Sequence, residues 1–340
     1  MLKPRLAILN PTCLDVVEEH RAWIEAAGVE LLADQSNRDL SASAVTELLR
    51  DADAVILPAQ VRNAPLDEQM IAATRLLVCS IAASGYEWLD VAAATRNGIV
   101  VAFSPGREGA EVVADMAWGL MLAVARQIPF HHQRLRVGDA RRGMGTSVFG
   151  KKLGIIGLGN IGKCVARRAA GFDVQILAAE PRPDEAFVRE HHIRVLSRDK
   201  LLAESDFISL HVRLDESTRN LIGADEFKRM KQSAILINTA RRELVSEEAL
   251  TTAIESGQIA GAGLDDPPGP VAARLLDRRN VVFTPHIGNR AIEGVHGVFR
   301  MAVENCLAVF RHERPPFLVN AEVYESGVRV DRRQALERIP

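Results

Sequence analysis

Three side chains with complementary chemistry follow apolar runs in the second half of the chain: Arg241, Asp265 and His286. An arginine fork donates two parallel hydrogen bonds to a carboxylate, and a histidine exchanges protons near neutral pH. If the apolar runs are strands of one parallel sheet, the residues after them meet at its carboxyl edge, where doubly wound sheets bind ligands. The pattern therefore predicts a site that binds an anion and moves a proton.

A glycine-rich segment precedes these residues. Gly157, Gly159 and Gly162 form a GxGxxG pattern directly after the apolar run Leu153–Ile156 and at the start of a helical pattern. In a βαβ unit the first glycine permits a tight turn, the second admits a pyrophosphate and the third lets helix and strand pack closely. The helix N-terminus presents free N–H groups and partial positive charge to the phosphates. The segment predicts a dinucleotide site.

An acidic residue indicates which dinucleotide binds. Glu180 ends the next apolar run, roughly 20 residues after the glycines, where an acid hydrogen-bonds the ribose hydroxyls of NAD. The same charge would repel the 2′-phosphate of NADP. NAD is the predicted cofactor, and Arg182 nearby leaves NADP open as an alternative.

Short apolar runs alternate with helical patterns along most of the chain. This alternation predicts an α/β protein with parallel sheets covered by helices. The strand pattern breaks between Ile99 and Gly109, a long apolar helix is predicted over 110–127, and the basic stretch 134–150 is predicted to be a loop. The predicted strands are 6–9, 29–32, 54–57, 76–79, 153–156, 174–178, 207–211, 234–238, 261–264 and 281–284.

Bulk properties limit the possible partners. A length of 340 residues favours two domains. The net charge of −2 gives no general attraction to nucleic acid or to an anionic membrane. The N-terminus lacks the apolar run of a signal peptide, and no run is long enough to span a membrane. Four scattered cysteines with no zinc-like spacing predict free thiols, no metal and a cytoplasmic location: Cys13, Cys79, Cys164 and Cys306.

Taken together, these motifs resemble the D-isomer-specific 2-hydroxyacid dehydrogenases, a family that includes phosphoglycerate dehydrogenases, glyoxylate/hydroxypyruvate reductases and phosphite dehydrogenase. The resemblance covers nearly the whole chain. Besides the glycine motif, it rests on the segments 84–91, 97–99, 114–115, 120–126, 210–212, 220–223, 238–241, 284–288 and 313–320.

The resemblance implies two doubly wound parallel-sheet domains. A Rossmann NAD-binding domain over 104–290 would be inserted into a flavodoxin-like substrate domain built from 1–103 and 291–340. Hinges would lie near Phe103–Pro105 and Asn289–Arg290. The family is usually dimeric, so a homodimer through the 110–127 helix is expected.

The resemblance also implies residue roles. Arg241 would anchor the substrate carboxylate, His286 would be the catalytic acid and base, and Asp265 would contact the nicotinamide end. The backbone N–H groups of Ala83, Ser84 and Gly85 would meet the substrate carboxylate. The other residues expected to bind the cofactor are Asn160, Ile161, His211, Val212, Thr239, Ala240 and Gly288.

One departure from the family concerns the catalytic histidine. Relatives carry a glutamate five residues after the acid that matches Asp265, and it pairs with the histidine, whereas this chain has Pro270 there. Either His286 has no carboxylate partner, or Asp266, bent back by the prolines that follow it, replaces the glutamate. Smaller departures are Glu87, Asp115, Arg213 and Arg242.

The predicted function is NAD-dependent hydride transfer between nicotinamide and a small D-2-hydroxy acid or 2-oxo acid. Two alternatives stay open: an NAD(H)-binding sensor or scaffold with little turnover, and a dehydrogenase of a non-carboxylate oxyanion such as phosphite. The sequence does not identify the substrate. Four arginines could recognise a second anionic group: Arg107, Arg141, Arg142 and Arg242.

Overall fold

The computed structural model describes residues 3–9, 14–33, 42–57, 71, 74–86 and 88–325. The chain forms two compact units, one combining 1–109 with 292–340 and the other comprising 110–291. The first unit therefore takes residues from both sides of the second.

The first unit contains a five-stranded parallel sheet in the order β2-β1-β3-β4-β5, the doubly wound order of flavodoxin-like folds. Its central strand Ala54–Leu57 is an apolar run that is buried along its whole length. Such runs form where helices cover both faces of a sheet. The strands are β1 Arg5–Ile8, β2 Glu30–Ala33, β3 Ala54–Leu57, β4 Val78–Ile81 and β5 Val100–Phe103, and the helices are Leu14–Ala26, Ala42–Arg50, Val91–Arg96 and Ile292–Phe310, with a short turn at Ala321–Tyr324.

Residues near the end of the chain complete this unit. The helix Ile292–Phe310 shares one apolar core with β1, β3, β4 and β5. Residues after it run antiparallel to β5, with Leu318 opposite Ala102. Asn320, which is buried, accepts a hydrogen bond from the N–H of Val101 at 2.8 Å and donates one to the carbonyl of Ile99 at 2.9 Å. This segment is therefore an integral part of the sheet.

The second unit contains a seven-stranded parallel sheet in the order β12-β11-β10-β9-β6-β7-β8. Its order reverses between β6 and β9, which creates the switch point where Rossmann folds bind dinucleotides. The strands are β6 Lys152–Ile156, β7 Gln175–Ala179, β8 Arg194–Val195, β9 Phe207–Leu210, β10 Ile235–Asn238, β11 Gly261–Leu264 and β12 Val281–Phe283. The helices are Arg107–Ala125, Ile128–Arg136, Asn160–Ala169, Glu185–Glu190, Arg198–Glu204, Ala224–Arg229 and Glu247–Glu255, with short 3-10 turns at Ala170–Phe172, Arg242–Leu244 and Ala272–Leu275. The first of these helices begins three residues before the unit itself.

Two expectations about elements are wrong in part. Strand β5, Val100–Phe103, lies where the strand pattern seemed to break, because its apolar run is followed at once by a Ser-Pro-Gly turn. Residues 137–150 have no regular secondary structure, as expected, whereas a helix, Ile128–Arg136, overlaps the first three residues of the 134–150 stretch that was expected to be a loop. It follows Gln127, whose φ of 53° is left-handed and ends the preceding helix, and proline is tolerated at its first turn.

Candidate active site

The glycine-rich turn connects β6 to the helix Asn160–Ala169. Gly157 has φ of +93°, and a Cβ there would lie 2.7 Å from the carbonyl oxygen of His211. A Cβ at Gly162 would collide with the carbonyl of Gly157, whereas one at Gly159 would meet nothing within 4 Å. The helix N-terminus has no side-chain cap. Its free N–H groups beside open space at Gly159 therefore fit a pyrophosphate.

Glu180 lies directly beside this turn. Its carboxylate accepts hydrogen bonds from the N–H of Leu158 at 3.0 Å and from the N–H of Arg182 at 3.1 Å. Each carboxylate oxygen keeps a further lone pair for an incoming hydroxyl. The arrangement suits a ribose diol next to a pyrophosphate.

His211 contacts Gly157 through its backbone carbonyl, on the β9 side of the glycine turn. Its Nε2 lies 2.8 Å from the hydroxyl of Ser209. Desolvation lowers the pKa of His211 to about 3, because burial disfavours the charged ring. The imidazole is therefore neutral at physiological pH and adds no positive charge beside the predicted phosphate position.

The segment after β10 carries Thr239, Ala240 and Arg241 at the carboxyl edge of the sheet. Asn238, which is buried, accepts from the N–H of Ala240 at 3.0 Å and donates to the carbonyl of Arg241 at 2.7 Å. The hydroxyl of Thr239 is buried and has no hydrogen-bond partner among the described residues. A buried hydroxyl of this kind needs a partner, and a bound cofactor would supply one here.

Arg241 is half-buried, and its Nη1 donates to the carbonyl of Ala240 at 2.8 Å. This bond orients the side chain, and a guanidinium fork is suited to a planar carboxylate. Asn238, which fixes the backbone on both sides of Arg241, was not identified as a site residue from the sequence. The signal was present, since an asparagine that ends a strand commonly hydrogen-bonds the loop that follows.

Asp265 holds the loop that carries His286. It is 3% exposed, and its Oδ1 accepts from the hydroxyl of Thr284 at 2.6 Å and from the N–H of Ile287 at 2.8 Å. Its Oδ2 accepts from the N–H of Gly288 at 2.6 Å. The carboxylate thus binds the chain on both sides of the histidine. Its expected contact with nicotinamide stays a prediction.

His286 has a left-handed backbone, with φ of 57°. This conformation is uncommon for residues other than glycine and persists where the surroundings impose it, which is frequent at functional sites. The hydrogen bonds of Asp265 to Thr284 and Ile287 impose it here. The strain therefore sets the direction in which the imidazole leaves the loop.

The structure pairs this imidazole with Asp266. Nδ1 of His286 lies 2.7 Å from Oδ1 of Asp266, and the two side chains are 21% and 16% exposed. Of the two possibilities left by the sequence, the geometry supports the one in which Asp266 occupies the place of the family's glutamate. Pro270, at the expected position of that glutamate, is exposed on the same loop.

The expected substrate-binding loop follows β4 in the first unit. Ala83 is buried, Gly85 is half-buried and Ser84 is exposed. The carbonyl of Ala83 accepts from the N–H of Ser104 at 3.0 Å, which ties the loop to the end of β5. The residues lie at the carboxyl edge of this sheet, the edge where ligands bind in such folds.

The described residues include no cluster of three or more potential metal ligands. No helix among them has the length and apolar character that crossing a membrane requires.

Residues 118–288 match the protein family described as D-isomer specific 2-hydroxyacid dehydrogenase, NAD binding domain. A glyoxylate reductase from Korarchaeum cryptofilum is 37% identical over 335 residues, which cover 95% of this chain and 97% of the relative. The chain belongs to the D-isomer specific 2-hydroxyacid dehydrogenases. This 2-hydroxyacid dehydrogenase uses NAD, and it transfers a hydride to or from a 2-hydroxy or 2-oxo acid.

Solved structures agree with this assignment. A protein from Thermus thermophilus shares 30% identity with the 2-hydroxyacid dehydrogenase and a TM-score of 0.81, covering 93% of this chain and 99% of that chain. A glyoxylate reductase from Paecilomyes thermophila shares 28% identity and a TM-score of 0.79, covering 94% and 99%. The predictions of family, fold class and cofactor are confirmed.

Proposed function

We propose that this dehydrogenase reduces glyoxylate or another small 2-oxo acid with NADH. The observation that carries the proposal is the hydrogen bond between His286 and Asp266, 2.7 Å long, at the sheet edge that also carries Arg241. The glyoxylate reductase from Korarchaeum cryptofilum, similar over nearly the whole chain, supports a small substrate.

NADH, when bound, supplies a hydride to the carbonyl carbon of the 2-oxo acid. Arg241 binds the substrate carboxylate through two parallel hydrogen bonds. Asp266 holds Nδ1 of His286 and stabilises the imidazolium, so Nε2 is the atom that gives its proton to the carbonyl oxygen. The products are the 2-hydroxy acid and NAD⁺, with one proton taken from the enzyme. In oxidation, neutral His286 takes the hydroxyl proton back.

The sensor alternative depended on an unpaired catalytic histidine. Asp266 removes that argument, since it supplies the carboxylate expected from the family's glutamate. A second anionic group on the substrate is also less well supported. The guanidinium of Arg141 already binds Asp139, at 3.0 and 2.8 Å, and Arg242 lies 3.8 Å from the carboxylate of Glu243.

The test is oxidation of NADH in the presence of glyoxylate, hydroxypyruvate, pyruvate, phosphohydroxypyruvate and bulkier 2-oxo acids, with phosphite and NAD⁺ as a separate arm. Arg241→Ala should lose about 30-fold or more in kcat/KM, because a charge-assisted pair is worth about 2–5 kcal/mol. Arg242→Ala is the matched control and should retain activity. Turnover of phosphite alone, or of no 2-oxo acid, would refute the proposal.

We further propose that the enzyme is a cytoplasmic homodimer that associates through the helix Arg107–Ala125 and the segment after it. Large exposed apolar side chains concentrate over residues 128–149, where Val137 is 81% exposed and Met144 is 91% exposed. Such a concentration is typical of an interaction surface. Buried free thiols at Cys79, Cys164 and Cys306 fit a reducing compartment. Light scattering of the purified protein, with Met144→Glu as the disruptive variant, tests the dimer.

A further inference from the structure

The segment that follows Asp266 is unusually stiff. It reads Pro267-Pro268-Gly269-Pro270, and three of its four residues are prolines. Proline fixes its own φ, and it restricts the residue before it to extended conformations. Asp266 itself precedes a proline. A displacement of Gly269 is therefore expected to reach Asp266, because the intervening backbone has few angles left that can absorb it.

Glu247 binds the backbone just after this segment. Glu247 is the first residue of the helix Glu247–Glu255, and its Oε1 accepts from the N–H of Ala272 at 2.6 Å. Ala272 begins a 3-10 turn whose N-terminus has no side-chain cap from its own preceding residue. A carboxylate is well suited to this position, since it satisfies a free N–H and the positive end of the turn.

Gly269 lies against the same carboxylate. It is buried, and the three atoms nearest to a Cβ built on it all belong to Glu247, including Oε1 at 2.6 Å and Cδ at 2.7 Å. The φ of Gly269 is not left-handed. A side chain at position 269 would therefore have to displace the Glu247 carboxylate, whereas the backbone conformation itself does not call for glycine.

The two ends of the catalytic pair are thus held by different carboxylates. Asp265 binds the loop of His286, and Glu247 binds the segment that carries Asp266. We propose that Glu247 is a positioning residue that keeps Asp266 within hydrogen-bond distance of His286. This inference rests on the proposed function of the pair. It means that a residue outside the substrate and cofactor site controls proton transfer.

The first experiment compares Glu247→Ala and Glu247→Gln with Glu248→Ala, an exposed neighbour on the same helix. Glu247→Ala should lower kcat for 2-oxo acid reduction roughly 10- to 100-fold, the scale of a displacement near 1 Å, with little change in KM for NADH. Reductive kcat/KM should decline at lower pH than in the parent, as in Asp266→Asn. Glu247→Gln keeps an acceptor for Ala272 and should recover part of the rate. The assays are run well below the unfolding temperature of each variant. A pH profile of reductive kcat/KM for Glu247→Ala that superposes on the profile of the parent would overturn the proposal.

A double-mutant cycle tests the contact with Gly269. Gly269→Ala should reduce kcat because its Cβ displaces the Glu247 carboxylate. In the Glu247→Ala background the same substitution meets no carboxylate, so it should cost little more. Additive losses would show that Gly269 and Glu247 act independently, against the proposal.

A readout independent of turnover separates this inference from the proposed function. The hydrogen-bonded Nδ1 proton of His286 should give a downfield NMR signal in the parent, assigned by its absence in His286→Gln. The signal should weaken in Glu247→Ala and persist in Glu248→Ala. If the parent reduces no 2-oxo acid, the proposed function fails, and this signal still decides whether Glu247 positions the pair. An unchanged signal in Glu247→Ala would refute the positioning role.

Discussion

Replacing Asp265 with asparagine should damage both the stability and the activity of the NAD-binding unit. In Asp265→Asn one oxygen can still accept from Thr284 and Ile287. The new amide NH₂ then faces the N–H of Gly288, so two donors meet where the parent has a hydrogen bond of 2.6 Å. Because the site is 3% exposed, water cannot easily take over the lost bond.

The size of the effect follows from the three hydrogen bonds. A hydrogen bond to a charged group contributes about 1.5–3 kcal/mol, and an unsatisfied buried N–H costs about 1–3 kcal/mol. With some weakening of the other two bonds, the loss should be about 3–5 kcal/mol. For a unit of this size, each kcal/mol lowers Tm by about 2–4 °C, which gives a decrease of roughly 6–20 °C.

The assay combines thermal unfolding with steady-state reduction of the best 2-oxo acid. Asp266→Asn is the matched control, since Asp266 is the next residue and its carboxylate contacts the imidazole of His286 and not the backbone of the loop that Asp265 binds. That variant should change the pH profile with little change in Tm, whereas Asp265→Asn should lower Tm and kcat together. A Tm within about 2 °C of the parent with unchanged kcat would show that Asp265 does not hold the loop.

Three further outcomes are expected. Glu180→Ala should narrow the preference for NADH over NADPH, measured as the ratio of their kcat/KM values; a parent that prefers NADPH would contradict the role of Glu180. Gly157→Ala should weaken NADH binding about 5-fold or more, since a left-handed φ alone costs about 1–3 kcal/mol. Gly171→Ala, with open space around its Cβ, should bind NADH normally in a fluorescence titration. Glu111 has its pKa lowered to about 2, chiefly by the hydrogen bond from Arg168. It therefore stabilises the fold above its unfolded pKa of 4.5 and loses this contribution as pH falls toward 2, so urea unfolding of Glu111→Gln should depend less on pH in that interval than unfolding of the parent.

The sequence predicted the parts of the fold that depend on continuous apolar runs. Strands β3 and β11 have the predicted bounds, because a strand buried on both faces is apolar throughout. Strand β8, Arg194–Val195, could not be found this way, since both residues are exposed. Strand β4 begins two residues later than predicted, at Val78, because apolar residues continue on both sides of its start.

The candidate site was less fully predictable. Arg241, Glu180 and His286 could be placed because each closes an apolar run. The partner of His286 could not be chosen, since the path of the proline-rich segment depends on contacts distant in sequence. Glu247 lies 25 residues before Ala272, and nothing in the local pattern of either one indicates that they meet.

In the first unit, the helix Ile292–Phe310 packs on a sheet whose strands come from the first 103 residues, and Asn320 hydrogen-bonds to the backbone beside β5. During synthesis, therefore, strands β1 to β5 leave the ribosome long before the helix that buries them exists. The seven-stranded unit, contained in one continuous stretch, has all its strands available before that helix emerges and can fold as a unit while the chain grows. Until then, one face of the five-stranded sheet has only the helix Leu14–Ala26 to share its apolar core. For this enzyme a segment made after the second unit completes the first, and in the interval the unfinished core of the first unit is open to aggregation and to chaperones.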